Sequence, residues 1–600
     1  MTASTNKSPH EFHIPVLGTG FSIDTPLKVA RYGISSVISL VDDVLIEQVR
    51  KFHCQANNEP YEEITSKEDD ARAKRITAYL NLVDKLVTGQ VKELQAAPFE
   101  PESEITKYFE MLPDGPLKDE YAVMLATEDD SKKTDMQTEL RKKAVPGSID
   151  VNIMTKLDVA HYKDGNALPR EHNDAMAALR GYAESTLNSA LVFSAGINQH
   201  LYTYLTEFKD FFADKKEEIT KRITLKVSDY RSAVIQGKIL AKKGLWVSEF
   251  RIESGLNCGG HAFATKGNLI GPILEEFKHK KDDLIDMLHG IYNKARESIG
   301  MPAISIPHDT IFSVQGGICT YEETELLKEH YGFSQFGWGT PFLLVPEAVN
   351  IDADSLERLI KAERNDTELS KSSPVGIPYW NLKTSASEEG RVQRIDKGVP
   401  GAPCPKGYLC FNEEYTKRPI CTASKAYQTL KLEELSKPNG LNDEQKEVVR
   451  RDVLAKNCIC HELGGATTFN LGIDKTIKTN ICPGPIIGYF DKKMTLQQMV
   501  DHIYGRASHL KECTRPHMMV EEMRIYFEHL SDEIERVKLD ISHNTPAYLK
   551  DFKDNMLEAV QYYLDLAGEI IEKNREQFIE DVNSMKAELE KLSIVSPSVA

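Results

Sequence analysis

The chain has 600 residues, a formal net charge of -17, 41 % apolar residues and 28 % charged residues. That acidity argues against nucleic acid and anionic membranes as partners, and no apolar run reaches the roughly 18 residues of a membrane helix. The polar start, Met1 to Pro9, lacks the apolar core of a signal peptide. A cytoplasmic protein is expected, its ten cysteines free thiols or metal ligands rather than disulfides.

Phe12 to Gly18 reads as a first strand running into the small-residue loop Thr19 to Ser22. Asp24 or Thr25 can cap the next helix, with Pro26 early in it and Gly33 ending it. Ile34 to Val41 is a second apolar strand, which completes a parallel βαβ unit. From Asp42 to about Ala144 charge-rich helical pattern takes over, predicting a helical insertion over about 55–145. Strands are then expected at Ser148–Met154, Ser189–Ala195, Arg222–Val227 and Trp246–Ile252, with helical periodicity between them. A seventh is expected at Ile304–Phe312 and an eighth at Gly332–Phe336, joined by the amphipathic helix Thr320 to Tyr331. Eight strands, each followed by a helix, predict a (β/α)₈ TIM barrel over 10–350. A loop-rich, cysteine-bearing lobe over 351–490 and a helical segment over 491–600 follow. The apolar face around Tyr562 suits packing against the barrel or, as a homo-oligomer contact, against a second subunit.

Barrel active sites lie at the C-terminal strand ends. Here those ends offer Gly18 to Ser22, Asn152, Ser194, Lys226, Ser228, Glu253 and Asn257 to His261. His261 alone among them is an acid or base near neutral pH, with Gly259-Gly260 letting its loop bend over the mouth. The turns after strands seven and eight carry Gly316-Gly317 and Gly337-Trp-Gly339-Thr340. Glycine amides at those two positions can approach a phosphate closely, and plain tight turns are the alternative.

Ile14-Pro-Val-Leu-Gly18, Thr25-Pro26-Leu, Asp150-Val-Asn152, Glu253 through Cys258-Gly-Gly-His261, Gly316-Gly-Ile318 and Gly337-Trp-Gly-Thr-Pro-Phe342 occur in chain order. Together they resemble the nitronate monooxygenase (2-nitropropane dioxygenase-like) family, whose superfamily includes the flavin-dependent enoyl-acyl-carrier-protein reductases. The resemblance implies an FMN-dependent oxidoreductase acting on a small molecule. Gly316, Gly317, Gly339 and Thr340, with Gly337 beside them, would hold the FMN phosphate. Gly18, Thr19, Gly20, Asn152 and Lys226 would contact the ring or ribityl chain, with Gly259 and Gly260 alongside. His261 matches the family's active-site histidine, the base in nitronate oxidation. The reductase branch instead uses NAD(P)H to reduce an enoyl thioester, and a barrel kept only as a scaffold is the reading of another class. The chain departs from the family pattern at Gly18-Thr-Gly-Phe-Ser22, at Asn257-Cys258 and at Pro341.

Beyond the barrel, six of the ten cysteines fall between positions 404 and 482. Four thiolates suffice for zinc or an iron–sulfur cluster. Cys404, Cys421, Cys460 and Cys482 are the best-spread set, with Cys458 as a substitute, and buried free thiols are the alternative.

Overall fold

The computed structural model describes residues 8–163, 166–258, 266–511, 515–569 and 572–594. Eight parallel strands close into a barrel in chain order: β1 (Phe12–Ile14), β2 (Ser35–Ser39), β3 (Ile149–Ile153), β4 (Ala190–Phe193), β5 (Arg222–Val227), β6 (Glu249–Glu253), β7 (Ile311–Gln315) and β8 (Gln335–Gly337). The ring closes where His13 of β1 pairs with Gly337 of β8 on one side and with Ser35 of β2 on the other. Every residue of β2 and β3 is buried, as expected of parallel strands covered on both faces. The expected (β/α)₈ barrel is therefore the fold.

A polar layer fills the barrel interior. The Glu249 carboxylate accepts from Arg251 at 2.8 and 2.9 Å, from Ser313 at 2.5 Å and from Thr224 at 3.0 Å. Burial would raise the Glu249 pKa, but the Arg251 guanidinium and the Ser313 hydroxyl hold it down to about 2. Burial, reinforced by Arg251, lowers that of His13 to about 3. The charges are tolerated because Arg251 and Glu249 pair with each other along β6, and Glu249 also accepts from β5 and β7.

Several strands differ in bounds from expectation, among them the eighth, Gln335–Gly337 rather than Gly332–Phe336, and two of the shifts bear on the barrel mouth. The seventh is Ile311–Gln315 rather than Ile304–Phe312, because Pro302 and Pro307 keep the preceding stretch out of the ladder. The sixth is Glu249–Glu253 rather than Trp246–Ile252. Both shifts move the strand ends, and so the mouth, toward Glu253 and Gln315.

The insertion after β2 forms four helices, the longest Ala71–Ala96, which packs against Asp43–Ala56 and Asp174–Ala183 outside the barrel. The long helix Ile270–Ser298 after β6 carries two of the tail helices, Met518–Lys538 and Pro546–Leu566. Those two are separated at Asn544-Thr-Pro546, where Thr545 caps the second. The Tyr562 hydroxyl reaches that of Tyr331 at 2.8 Å, so the apolar face of the tail lies on the barrel of its own chain. Among the described residues no helix is long and apolar enough to cross a membrane.

The region after residue 350 is more ordered than its Ser-, Pro- and Gly-rich sequence suggests. Thr367–Ser370 and Tyr379–Leu382 form an antiparallel hairpin, and short helices follow through Gly465–Asn470. This lobe sits on the barrel mouth. Trp380 donates its indole N–H to the Gly255 carbonyl at 3.0 Å, Lys406 pairs with Asp42, and the Tyr408 hydroxyl donates to Asp43 at 2.9 Å.

Candidate functional site

A cavity of about 840 Å³ occupies the C-terminal side of the barrel. Its floor is made by strand ends and the loops after them, including Thr19, Asn152, Ser194, Lys226, Glu253 and Gln315. Its roof is the C-terminal lobe, including Ile377, Tyr379, Phe411, Tyr427, Ile459 and Leu463. The volume suits a ring system and a small second molecule. Sequence reasoning placed the floor and missed the roof. Nothing in a loop-rich composition says which face of a barrel it covers.

Glu253 organises the floor. Its Oε1 stands 3.0 Å from Lys226 Nζ and accepts from Gln315 Nε2 at 2.7 Å and Asn257 Nδ2 at 2.6 Å. Three donors on one carboxylate oxygen fix the Lys226 side chain at the cavity edge. Thr19 Oγ1 is buried and has no hydrogen-bond partner among the described residues. An orphaned hydroxyl lining a cavity is a group a ligand can satisfy. Such a floor can bind an oxygen that carries negative charge and hold it against a fixed cation.

The two glycine turns are close together, and protein fills the space between them. Gly316 and Gly317 have φ of 105° and 85°, backbone that only glycine adopts freely. A Cβ at Gly317 would lie 2.3 Å from Leu256 Cδ1, and one at Gly316 2.7 Å from Ser254 Oγ. A Cβ at Gly339 would lie 2.5 Å from Cys258 Sγ, and one at Gly337 2.4 Å from Gln315 Cβ. Thr340 Oγ1 donates to the Pro483 carbonyl at 2.5 Å. The N-terminus of the helix Tyr321–Glu329 is closed as well. Its own Glu323 accepts from the Cys319 amide at 2.8 Å and pairs with Arg515 at 2.7 Å. Arg515 also donates to the Gly317 carbonyl at 3.2 Å. The amides at the helix start, and its positive end, already have partners in Glu323. Beside Gly316, Gly317, Gly337 and Gly339 the Cβ side is occupied by protein, and the Thr340 hydroxyl expected at the FMN phosphate is hydrogen-bonded to Pro483.

The remaining expected cofactor residues divide. Thr19, Asn152 and Lys226 line the cavity. Gly18 and Gly20 instead pack on the roof, where a Cβ at Gly20 would lie 2.7 Å from the Leu463 carbonyl oxygen. Gly259, Gly260 and His261 lie outside the described residues. The flanks of their loop are fixed by a residue the sequence did not flag. Glu522, on the tail helix Met518–Lys538, accepts from the Gly255 amide at 3.1 Å and from the Ile270 amide at 2.7 Å. Burial raises its pKa to about 7. Burial likewise pushes the Cys258 thiol up to about 12, so at neutral pH it is a packing group rather than a thiolate.

The four expected metal ligands also divide. Cys404, Cys421 and Cys460 line one small void, and Cys458 lines it with them. Cys482 is elsewhere, beside Cys258 and Tyr379 under the barrel mouth. The substitute, Cys458, is the one the fold brings in, because Cys458 and Cys460 flank the start of the helix Ile459–Glu462.

No protein-family model and no curated protein matches the chain. Among solved structures it is similar to FabK from Thermotoga maritima, at 10 % identity over 88 % of this chain and 96 % of that one, with a TM-score of 0.35. The enoyl reductase domain of MlnA from the macrolactin cluster of Bacillus amyloliquefaciens matches at 13 % identity over 67 % of this chain and 88 % of that one, with a TM-score of 0.33. Nitroalkane oxidase from Streptomyces ansochromogenes matches at 11 % over 63 % and 84 %, with a TM-score of 0.28. Likenesses of this size bear on neither ligand nor reaction.

Proposed function

We propose that the protein is an oxidoreductase acting on a small organic molecule in the roofed cavity, with a flavin ring lodged there as its redox group and no phosphate grip at the β7 and β8 turns. The observation that supports the reading is the cavity itself. It sits at the C-terminal strand ends, has room for a ring system, and is lined by the three non-glycine residues, Thr19, Asn152 and Lys226, that the family resemblance assigns to the ring side. The Lys226 ammonium, held by Glu253, would face a negatively charged oxygen, which nitronates and enolised thioesters both present. Nitronate oxidation is the leading reaction. NAD(P)H-dependent reduction of an enoyl thioester is the alternative, and turnover under anaerobic conditions with NAD(P)H would identify it.

Flavin titration of the full chain, read by fluorescence quenching, tests the cofactor. Riboflavin is expected to bind within about threefold of FMN, since a threefold change is under about 1 kcal/mol. FMN tighter by about a hundredfold would mean that a phosphate grip exists after all. The filled turns favour a second reading, a barrel without flavin chemistry, and failure of every flavin to bind would decide for it.

A further inference from the structure

Among the described residues no group of three or more His, Cys, Asp or Glu could hold a metal ion, so the expected zinc or iron–sulfur site is not formed by them. Two of the roof cysteines nevertheless stand apart from the rest. Cys404 is exposed and Cys410 half-buried, while every other described cysteine is buried. Their sulfurs are 3.8 Å apart. A disulfide needs about 2.05 Å, so a closing movement of under about 2 Å would join them. The chain between them turns back at Gly407, whose φ is 79° and whose carbonyl accepts from the Cys410 amide at 3.2 Å. That left-handed backbone suits glycine and returns Cys410 to Cys404.

The stretch they bracket belongs to the edge of the cavity. Lys406 pairs with Asp42, and the Tyr408 hydroxyl donates to Asp43 at 2.9 Å, which docks the stretch on the barrel. Leu409 lines the cavity. Phe411, the residue after Cys410, lines it too and is 42 % exposed, which places it on the rim between cavity and solvent.

We propose that Cys404 and Cys410 form a reversible disulfide that locks this part of the cavity rim. The oxidant is a low-molecular-weight disulfide, RSSR. The deprotonated Cys404 thiol, the exposed member, attacks one sulfur of RSSR; the S–S bond breaks and RS⁻ leaves, to be protonated to RSH. The deprotonated Cys410 thiol then attacks Cys404 Sγ in the mixed disulfide and expels the second RS⁻, which is protonated in turn. Two protein thiols lose two electrons and two protons, and RSSR gains them as two RSH. The covalent link replaces a weak thiol–thiol hydrogen bond, so local opening that parts the two residues is suppressed. An excess of the free thiol RSH reverses both steps. The inference does not depend on the flavin reading.

The test is incubation of the fully reduced, full-length protein with oxidised glutathione, followed by thiol counting, intact mass and peptide mapping. Wild-type protein is expected to lose two thiols, retain no glutathionyl group and carry a Cys404–Cys410 link that reduced glutathione removes. Cys410→Ser should stop at the first step, with one glutathionyl group on Cys404. Cys404→Ser should slow oxidation of Cys410 by about tenfold or more, because the exposed attacking thiol is gone. Amide hydrogen exchange over 404–412 should be slower by about tenfold or more in the oxidised wild-type protein. Circular dichroism identifies a variant that fails to fold, and the wild-type arms stand without either variant. Wild-type protein that keeps all its thiols, or that stops at a glutathionyl group on Cys404, overturns the proposal. So does a link from Cys404 to Cys421, the buried thiol that also reaches it. Hydrogen exchange unchanged by oxidation overturns the lock.

Discussion

The two halves of the barrel mouth use similar residues for opposite ends. On the side of β1 to β6, strand ends open into a cavity with a fixed Lys226–Glu253 pair and an unpartnered Thr19 hydroxyl. On the side of β7 and β8, the glycines give their space to Leu256 and Cys258, and the helix end is neutralised by Glu323 and Arg515. The lesson is that a glycine-rich turn reports close approach by something, and the something can be the protein itself. Only the residues facing the turn decide, and here they come from the loop after β6 and from Pro483-Gly484.

Acid should destabilise the barrel and tail that support both halves and is the largest expected effect. Burial lowers the pKa of His10, His308 and His517 to about 4 and of His13 to about 3. Between those values and about 6.5, the unfolded chain binds protons that the folded chain refuses, so stability must fall as pH drops through that window. Each unit of lowering is worth about 1.4 kcal/mol. Glu249 adds to the loss as pH falls from its ordinary value toward about 2. Urea unfolding from pH 7 to pH 4 measures this, and a flat profile would refute the buried-neutral assignment.

Glu522→Ala leaves two buried amides unpaired, one at each end of the loop between the two halves. A loss of about 2–5 kcal/mol is expected in denaturant unfolding. Because the Glu522 pKa is raised to about 7, its contribution is full at low pH and fades as pH rises through 7. Glu522→Gln should flatten that decline, and a decline unchanged in this variant would count against the assignment.

Gly317→Ala separates the two halves directly. With φ at 85° and Leu256 2.3 Å from the new methyl group, it should cost about 2–4 kcal/mol of stability. Riboflavin and FMN affinities should stay equal to each other in that variant; selective loss of FMN binding would restore the phosphate site. Thr19→Val is the smallest change. It removes an orphaned hydroxyl, so stability should hold or rise by up to about 1 kcal/mol while ligand affinity falls. A clear loss of stability would show that the hydroxyl has a protein partner.

The barrel was legible because its signal is local: short apolar strands alternating with helical pattern, Pro26 and Gly33 bracketing a helix, and Thr320 with Glu323 capping another. The cavity floor was legible for the same reason, since strand ends fall where strands do. The filled turns were not, because Leu256 and Pro483 act through space on residues 61 and 143 positions away. Glu522 was hidden in the same way, as an ordinary acidic position in an amphipathic helix until its two amide partners are seen. The cysteines fell between these cases. Their clustering in sequence was legible, but that Cys458 rather than Cys482 joins the others required the helix that starts at Ile459.

The anchoring of the loop after β6 by Glu522 also sets an order of events during synthesis. Glu522 lies 252 positions beyond Ile270, one of the two amides it holds. At ribosomal speeds that interval lasts roughly 10–50 s. Throughout it the nascent strands can pair while their open end still faces the translation machinery and its chaperones, so the mouth is the part of the molecule most exposed to premature association before the tail arrives.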